Sequence, residues 1–339
     1  MRTGKNPAKT GIPAYAPRQL GVALLVYIPS QEGYFQQSLE ILRYQIDSLY
    51  RSTSQEFDLL VFNNGSCPNV VKTLQEWYEE KRITWLVHSQ HNLGKAGAWN
   101  WILGSVPNEI ICYADSDVLF RPGWLEASLR ILEAFPQAGM VSAQPNFFDV
   151  LDGEGTAHLP LLNDPDYEFG EYLPPAEIID EYCFGIGADE EQSAAFHRNP
   201  IPYIVNRKNN VRAVMGASHM QFITRREIAR QVIPLPATRA IYRPETISLD
   251  RHMDQAGYLH LSTQENYVFH MGNTITDYLL NELKTLQVSH QPLPRPQSRA
   301  VEKRSLHYRA AAALARRPQM HNLFKRLYNF LFRVLYTEG

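Results

Sequence analysis

From Leu20 to Met140, short apolar runs alternate with stretches of helical periodicity, and that alternation commits the chain to βαβ units in a buried parallel sheet. The strand candidates are Val22–Ile28, Phe57–Phe62, Ile83–Val87, Ile110–Ala114 and Met140–Ala143. Between them, helical spacing covers Phe35–Tyr50, Val70–Glu80, Ala96–Leu103 and Pro122–Ala134, the last opened by proline in its first turn. Crossovers of this length give a right-handed, doubly wound layout with helices on both faces.

Composition narrows the partners. The 33 basic and 35 acidic residues nearly cancel, so no global field points to nucleic acid, and none is expected. Three scattered cysteines are too few for a disulfide framework or a zinc ribbon and suit a reducing cytosol. Residues 1–19 carry Arg2, Lys5, Lys9 and Arg18 among prolines and glycines without an apolar signal region, and read as a flexible tail. No run approaches the roughly 18 apolar residues of a membrane span. The expected location is therefore the cytoplasm.

Ligands of such sheets bind beyond the carboxyl ends of the strands. There the sequence places Pro29-Ser30-Gln31-Glu32, Asn63-Asn64-Gly65-Ser66, His88 to Gly94, and Asp115-Ser116-Asp117. Each alone reads as a turn built from turn-forming residues. Together they converge on one rim. Asn92, Gly94 and Lys95, just before a helix, offer backbone N–H groups and a cation to a phosphate. Asp115 and Asp117, two residues apart at a strand end, offer oxygen ligands to Mn²⁺ or Mg²⁺, hard ions that combine one or two carboxylates with substrate phosphates.

These motifs, in this order and spacing, resemble the nucleotide-binding half of glycosyltransferase family 2. The matching strings are Val26-Tyr27-Ile28-Pro29-Ser30, Asn63-Asn64-Gly65-Ser66, Asn92 through Asn100, and Asp115-Ser116-Asp117. The resemblance implies an α/β fold of the GT-A type (nucleotide-diphospho-sugar transferase), a Rossmann-like mixed sheet with helices on both faces. It implies a domain over residues 20–290: a nucleotide-binding half over 20–145, an insertion over 146–212 and an acceptor half over 213–290. Pro29, Ser30, Glu32, Asn63, Asn92, Gly94, Lys95, Asp115 and Ser116 would then line the donor, a nucleotide-diphosphate sugar. Asn63 departs from the family, which usually has an aspartate there to accept a hydrogen bond from the base.

Further along, Val214 to Ile223 reads as one strand running into Arg225-Arg226, which the resemblance sets beneath the acceptor. Glu245 through Gly257-Tyr258 matches the family's acidic helix, the carrier of the general base. Asp250 is the favoured residue and Glu245 the second, with Asp254 one turn beyond Asp250. His270, ending an apolar strand, matches a histidine that joins the metal in several GT-A enzymes, giving Asp115, Asp117 and His270 as ligands. The implied reaction is metal-dependent, inverting transfer of a sugar to the hydroxyl of a glycan, a lipid-linked or a small-molecule acceptor. A nucleotidyltransferase is the weaker enzyme reading, since no Gly-rich loop with Arg and Lys follows the first strand. A non-catalytic nucleotide-sugar binder or membrane scaffold would keep the carboxylates and need no base.

Two further segments stand out. Between Asn146 and His197 there are thirteen acidic residues and no Lys or Arg, an acidic, loop-rich insertion. It reads either as a solvated excursion or as an acceptor-side lid that disfavours anionic acceptors. Residues 291–339 form a basic tail, in which Met320, Leu323, Phe324, Leu327, Phe330, Leu331, Val334 and Leu335 recur at helical spacing opposite Lys325, Arg326, Asn329 and Arg333. Such a helix fits an anionic membrane surface on its inner face, or packing on the protein's own core or a second subunit.

Overall fold

The computed structural model describes residues 15–147, 156–236 and 244–287. The basic tail lies outside them. The chain divides into two compact units, 1–237 with 245–289 and 238–244 with 290–339, and apart from Pro244 the described residues belong to the first.

The elements run β1 (Leu20–Val26), α1 (Ser38–Ser52), β2 (Phe57–Asn64), α2 (Pro68–Glu79), β3 (Trp85–Ser89), α3 (Gly94–Ser105), β4 (Ile110–Asp115), β5 (Val118–Phe120), α4 (Trp124–Ala134) and β6 (Ala138–Ser142). There follow β7 (Tyr167–Tyr172), α5 (Ala176–Ile186), α6 (Glu190–Phe196), β8 (Ile201–Asn206), β9 (Val211–Met215), β10 (Gln221–Arg225), α7 (Arg226–Val232), α8 (Pro244–Gln255), β11 (Leu259–Ser262), β12 (Val268–His270) and α9 (Asp277–Thr285).

Ten strands form one mixed sheet in the order β3-β2-β1-β4-β10-β6-β11-β9-β8-β7, and β12 pairs with β5 in a separate ribbon. β1 runs parallel to β2 and β4, and β2 parallel to β3, so four carboxyl ends share one edge, as the alternating pattern requires. Their apolar runs are continuous because both faces are covered. Ala23, Leu60, Phe62, Ile111 and Tyr113 pack with Ala98, Trp99 and Ile102 of α3, Ile228 and Val232 of α7, and Leu249 and Met253 of α8. The alternate residues Val22, Leu24, Val26, Leu59, Val61 and Cys112 are equally buried on the other face. A side chain such as Leu or Val contributes about 1.5–3 kcal/mol when fully buried, so this doubly covered block holds the rim rigidly.

Two expectations change. The stretch Val214 to Ile223 is not one strand: β9 ends at Met215 and β10 starts at Gln221, and they sit apart in the sheet. Gly216 has φ +108, outside the range of an extended L-residue, and turns the chain out of β9. The acidic insertion is not merely a loop. It supplies β7 and β8, which extend the sheet through β9, and two helices, of which α6 opens with a capping box of Asp189 and Gln192. Arg121, just after β5, ties it down: the guanidinium meets Glu181 of α5 bidentately at 3.0 and 2.5 Å and Glu282 of α9 at 2.8 Å. Burial pushes the Glu181 carboxyl up, but Arg121, Tyr278 and Asn266 outweigh it and hold it below the usual range.

Candidate active site at the strand-end rim

Hydrogen bonds between neighbouring loops shape the rim. Asn64, buried at the end of β2, donates from Nδ2 to Asn92 Oδ1 at 3.0 Å and accepts at Oδ1 from the Leu93 N–H at 2.8 Å. Asn92 Oδ1 also accepts from the Gly94 N–H at 2.8 Å, so Asn92 organises the entry to α3. Gly65 lies against this loop: its φ is +87, and a Cβ there would come within 3.0 Å of the backbone at His91 and Asn92. Ser66 Oγ accepts from the Ile28 N–H at 3.0 Å and joins the β1 loop to the same unit. Pro29, Ser30 and Glu32 stand exposed on that loop.

Asn63 does not present itself to a base. It is 1 % exposed, its Oδ1 accepts from the Ser66 N–H at 3.0 Å, and its Nδ2 lies 3.0 Å from His88 Nδ1. An amide has both a donor and an acceptor, and here each closes the turn.

The two carboxylates at the end of β4 have different surroundings. Asp115 Oδ2 lies 2.8 Å from Lys95 Nζ, and Oδ1 accepts from the Tyr113 hydroxyl at 2.5 Å. Lys95, expected to meet a phosphate, is thus engaged by Asp115, with Ser116 half-buried beside it. Burial pushes Tyr113 well above the usual phenol range, so it stays a donor. Gln45 of α1 fixes the same strand end by donating from Nε2 to the Asp115 carbonyl at 2.6 Å.

Asp117 instead faces His270. Its Oδ2 is 3.2 Å from His270 Nε2, while Oδ1 is buried without any hydrogen-bond partner. His270 Nδ1 lies 2.8 Å from the Gly185 carbonyl near the end of α5, which fixes that nitrogen as the N–H and turns Nε2 toward Asp117. Gly185 is glycine because a Cβ would press on His270 O at 3.2 Å and on the Phe269 ring. Burial disfavours the charged imidazole, but Asp117 overrides it, aided by the Gly185 bond and by Asp115, pushing the pKa up to about 9.

Of the expected metal ligands, the structure therefore joins Asp117 and His270 and places Asp115 with Lys95. Among the described residues no three His, Cys, Asp or Glu side chains cluster as a ready-made metal site. The pair still fits a hard cation. A carboxylate oxygen without a partner stands beside an imidazole nitrogen whose opposite N–H is anchored, and both are donor types that such an ion accepts.

Across the rim, Asp250 Oδ1 is 2.7 Å from His219 Nε2 and 3.8 Å from His260 Nδ1. Burial raises the Asp250 pKa, yet the two histidines outweigh it and hold the carboxyl below its ordinary value. Asp254 is spent elsewhere: its Oδ1 accepts from the Thr156 and Ala157 N–H groups, both at 2.7 Å, and its Oδ2 from the Thr156 hydroxyl. That separates the two acids which helical spacing leaves equivalent. Glu245 falls in the first turn of α8, and its side chain lies outside the described residues. The Asp250 and Asp115 sides touch, since the Asp115 N–H donates to the Met220 carbonyl at 2.8 Å and Lys95 Nζ to the His219 carbonyl at 3.2 Å.

His219, His260 and Gly185 also stand at the site, and no sequence motif marks them. His219 had one signal, a polar side chain within the apolar stretch from Val214 to Ile223. Gly185 had none, since its role depends on α5 packing against β12.

Two curated relatives are uncharacterized glycosyltransferases. The one from Haemophilus influenzae is 26% identical over 113 residues, 33% of this chain and 32% of that protein. The one from a Nostoc species is 27% identical over 111 residues, 32% of each. The chain thus spans about a third of the length of these relatives. Among solved structures, a mannosyltransferase from Pyrobaculum calidifontis in complex with GDP-Man and Mn²⁺ aligns with TM-score 0.43 and 14% identity over 73% of this chain and 55% of its own. S. aureus TarS 1-349 in complex with UDP aligns with TM-score 0.42 and 13% identity over 79% and 64%. Residues 34–232, well over half of the chain and including both strand-end carboxylates, match the model of glycosyl transferase family 2, and the chain belongs to that family.

Proposed function

We propose that this protein transfers a sugar from a nucleotide-diphosphate donor to an acceptor hydroxyl, with Mn²⁺ or Mg²⁺ as cofactor. The observation that carries this reading is Asp117 Oδ1, a buried carboxylate oxygen with no partner, next to a histidine held from behind by Gly185. Leaving such an atom unmade costs about 1–3 kcal/mol or more, a strain that a cation at the rim relieves.

Asp117 and His270 would hold the ion, and a divalent ion there offsets the negative charge that gathers on the departing diphosphate. The protein's own groups do the rest. The Asn64, Asn92 and Gly94 loop shapes the floor beneath the donor, and Lys95 keeps Asp115 compensated until a donor arrives. The acceptor hydroxyl approaches from the side of α8 and loses its proton to the base built around Asp250. Attack from the face opposite the leaving group inverts the anomeric carbon.

The acceptor is a glycan, a lipid-linked sugar or a small molecule. The acidic insertion reaches the site through Gly185, and its charge favours a neutral or cationic acceptor over an anionic one. Among the described residues no helix is long and apolar enough to cross a membrane. Contact with an anionic membrane surface is assigned to the basic tail, where each Lys or Arg near the leaflet contributes about 1 kcal/mol.

The test is nucleotide release from a panel of UDP-, GDP- and dTDP-sugars, with and without Mn²⁺. The expected result is release from at least one donor that disappears with chelator. Donor binding without turnover, whatever acceptor is offered, would make the chain a nucleotide-sugar binder instead.

A further inference from the structure

Asp250 is not an isolated carboxylate. One oxygen is taken by His219, whose ring also stands at the rim. A carboxylate only accepts, so at 2.7 Å His219 Nε2 must carry the hydrogen, which leaves the lone pair of the neutral ring on Nδ1. Nδ1 has no hydrogen-bond partner among the described residues, and the side chain as a whole is 22% exposed. The ring is held by Trp99, with centroids 6.2 Å apart, and by Asp250 at Nε2, while Lys95 Nζ donates to the backbone carbonyl of His219 at 3.2 Å. Gly216, with its positive φ, starts the turn that brings His219 beside the end of β4.

We infer that Asp250 and His219 act as a dyad in which His219 Nδ1 takes the acceptor's proton and Asp250 sets the tautomer and aim of the ring. The inference rests on the sugar-transfer reading and refines it. In the step, the acceptor O–H bond breaks and its proton goes to Nδ1. The oxygen's electron pair forms the new bond to the anomeric carbon, and the bond from that carbon to the diphosphate breaks, its electrons leaving with the nucleoside diphosphate. The imidazolium that results is stabilised by the carboxylate at its other nitrogen.

The groups facing the pair favour this division of work. His260 of β11 approaches the same Asp250 oxygen at 3.8 Å, Lys95 of α3 stands at the His219 carbonyl, and Asp254 lies one turn along α8, spent on Thr156 and Ala157. Burial acts against the charged carboxylate, but the hydrogen bond from His219 favours the ionised form of Asp250, which stays below its ordinary range.

The experiment has two arms on the full chain. In the first, ¹⁵N NMR of histidine-labelled protein reads the His219 tautomer, and Asp250→Asn serves as the variant. The expected spectrum has the hydrogen on Nε2 in the wild type and a shifted tautomer balance in the variant; hydrogen on Nδ1 in the wild type overturns the dyad. In the second arm, kcat/KM for nucleotide release to acceptor is followed against pH. His219→Gln is expected to lose about 10²-fold or more, with donor KM nearly unchanged and a pH profile that differs from that of the wild type. An enzyme that stays active in His219→Gln, or whose pH profile is the same with and without His219, overturns the dyad while sparing the transfer reading. A wild-type protein that turns over no nucleotide sugar overturns both.

Discussion

Lys95 Nζ and Asp115 Oδ2 form an ion pair of 2.8 Å, each side chain about a quarter exposed, across the gap between α3 and the end of β4. The pair divides the work of the two strand-end acids. Asp115 is compensated by a lysine and a tyrosine, whereas Asp117 keeps one buried oxygen without a partner. Asp117→Ala should therefore abolish Mn²⁺-dependent donor binding, while Asp115→Asn weakens it by about tenfold, one charge-assisted contact of about 1.4 kcal/mol. Calorimetry of nucleoside diphosphate with saturating Mn²⁺ checks this. Equal losses in the two variants, or unchanged affinity in Asp117→Ala, would refute the division.

His270 predicts a pH dependence of stability for metal-free protein. Its folded pKa, about 9, lies above the ordinary value of 6.5, so the native state binds the proton more tightly than the unfolded chain does. The contribution is fully present below pH 6.5 and is lost as pH rises through about 9. In EDTA, the melting temperature of the wild type relative to His270→Gln should shrink across that window. A difference that stays constant from pH 6 to 10 would show that the ion pair with Asp117 carries no linkage.

The Arg121 network anchors the acidic insertion and is under one-fifth exposed at its Glu181 contact. Arg121→Leu strands a buried carboxylate and should cost about 3–5 kcal/mol. Thermal or urea unfolding measures it, and a variant as stable as the wild type would reduce the network to a surface feature.

Gly65→Ala tests how tightly the rim is built. The positive φ and the backbone of His91 and Asn92 at 3.0 Å leave no room for a methyl group. A loss of about 1–3 kcal/mol is expected, together with weaker donor binding, because the loop that enters α3 must shift. Melting and nucleotide titration of the same variant would expose an error if both are unchanged.

On α8, Asp250→Asn should lower turnover by about 10²-fold or more with donor affinity nearly unchanged, whereas Asp254→Asn should keep the chemistry and loosen the loop at Thr156. Reversed phenotypes in single-turnover kinetics would move the essential carboxylate one turn along the helix.

Much of this was readable in the chain because periodicity and rim position are local properties. The four parallel strands, the helices between them and the acids ending β4 follow from runs of a few residues. What escaped depends on contacts distant in sequence. Gly185 meets His270 through the packing of α5 on β12, and Asn63 is drawn inward because Ser66 and His88 satisfy its amide. The single strand read over Val214 to Ile223 failed for a local reason: apolar composition carried the pattern across Gly216, whose backbone could not follow it. The order within the insertion, with β7 and β8 extending the sheet, was masked by acidic composition that sets the exposed side of each element and says nothing of pairing.

The most direct measurement is anomalous scattering from manganese in crystals grown with Mn²⁺ and a nucleoside diphosphate. One strong peak is expected, bonded to Asp117 and His270 Nε2, with diphosphate oxygens completing its shell and the Lys95–Asp115 pair beside it. A diphosphate bound on the rim with the manganese elsewhere, or with Asp117 Oδ1 still unpartnered, would contradict it.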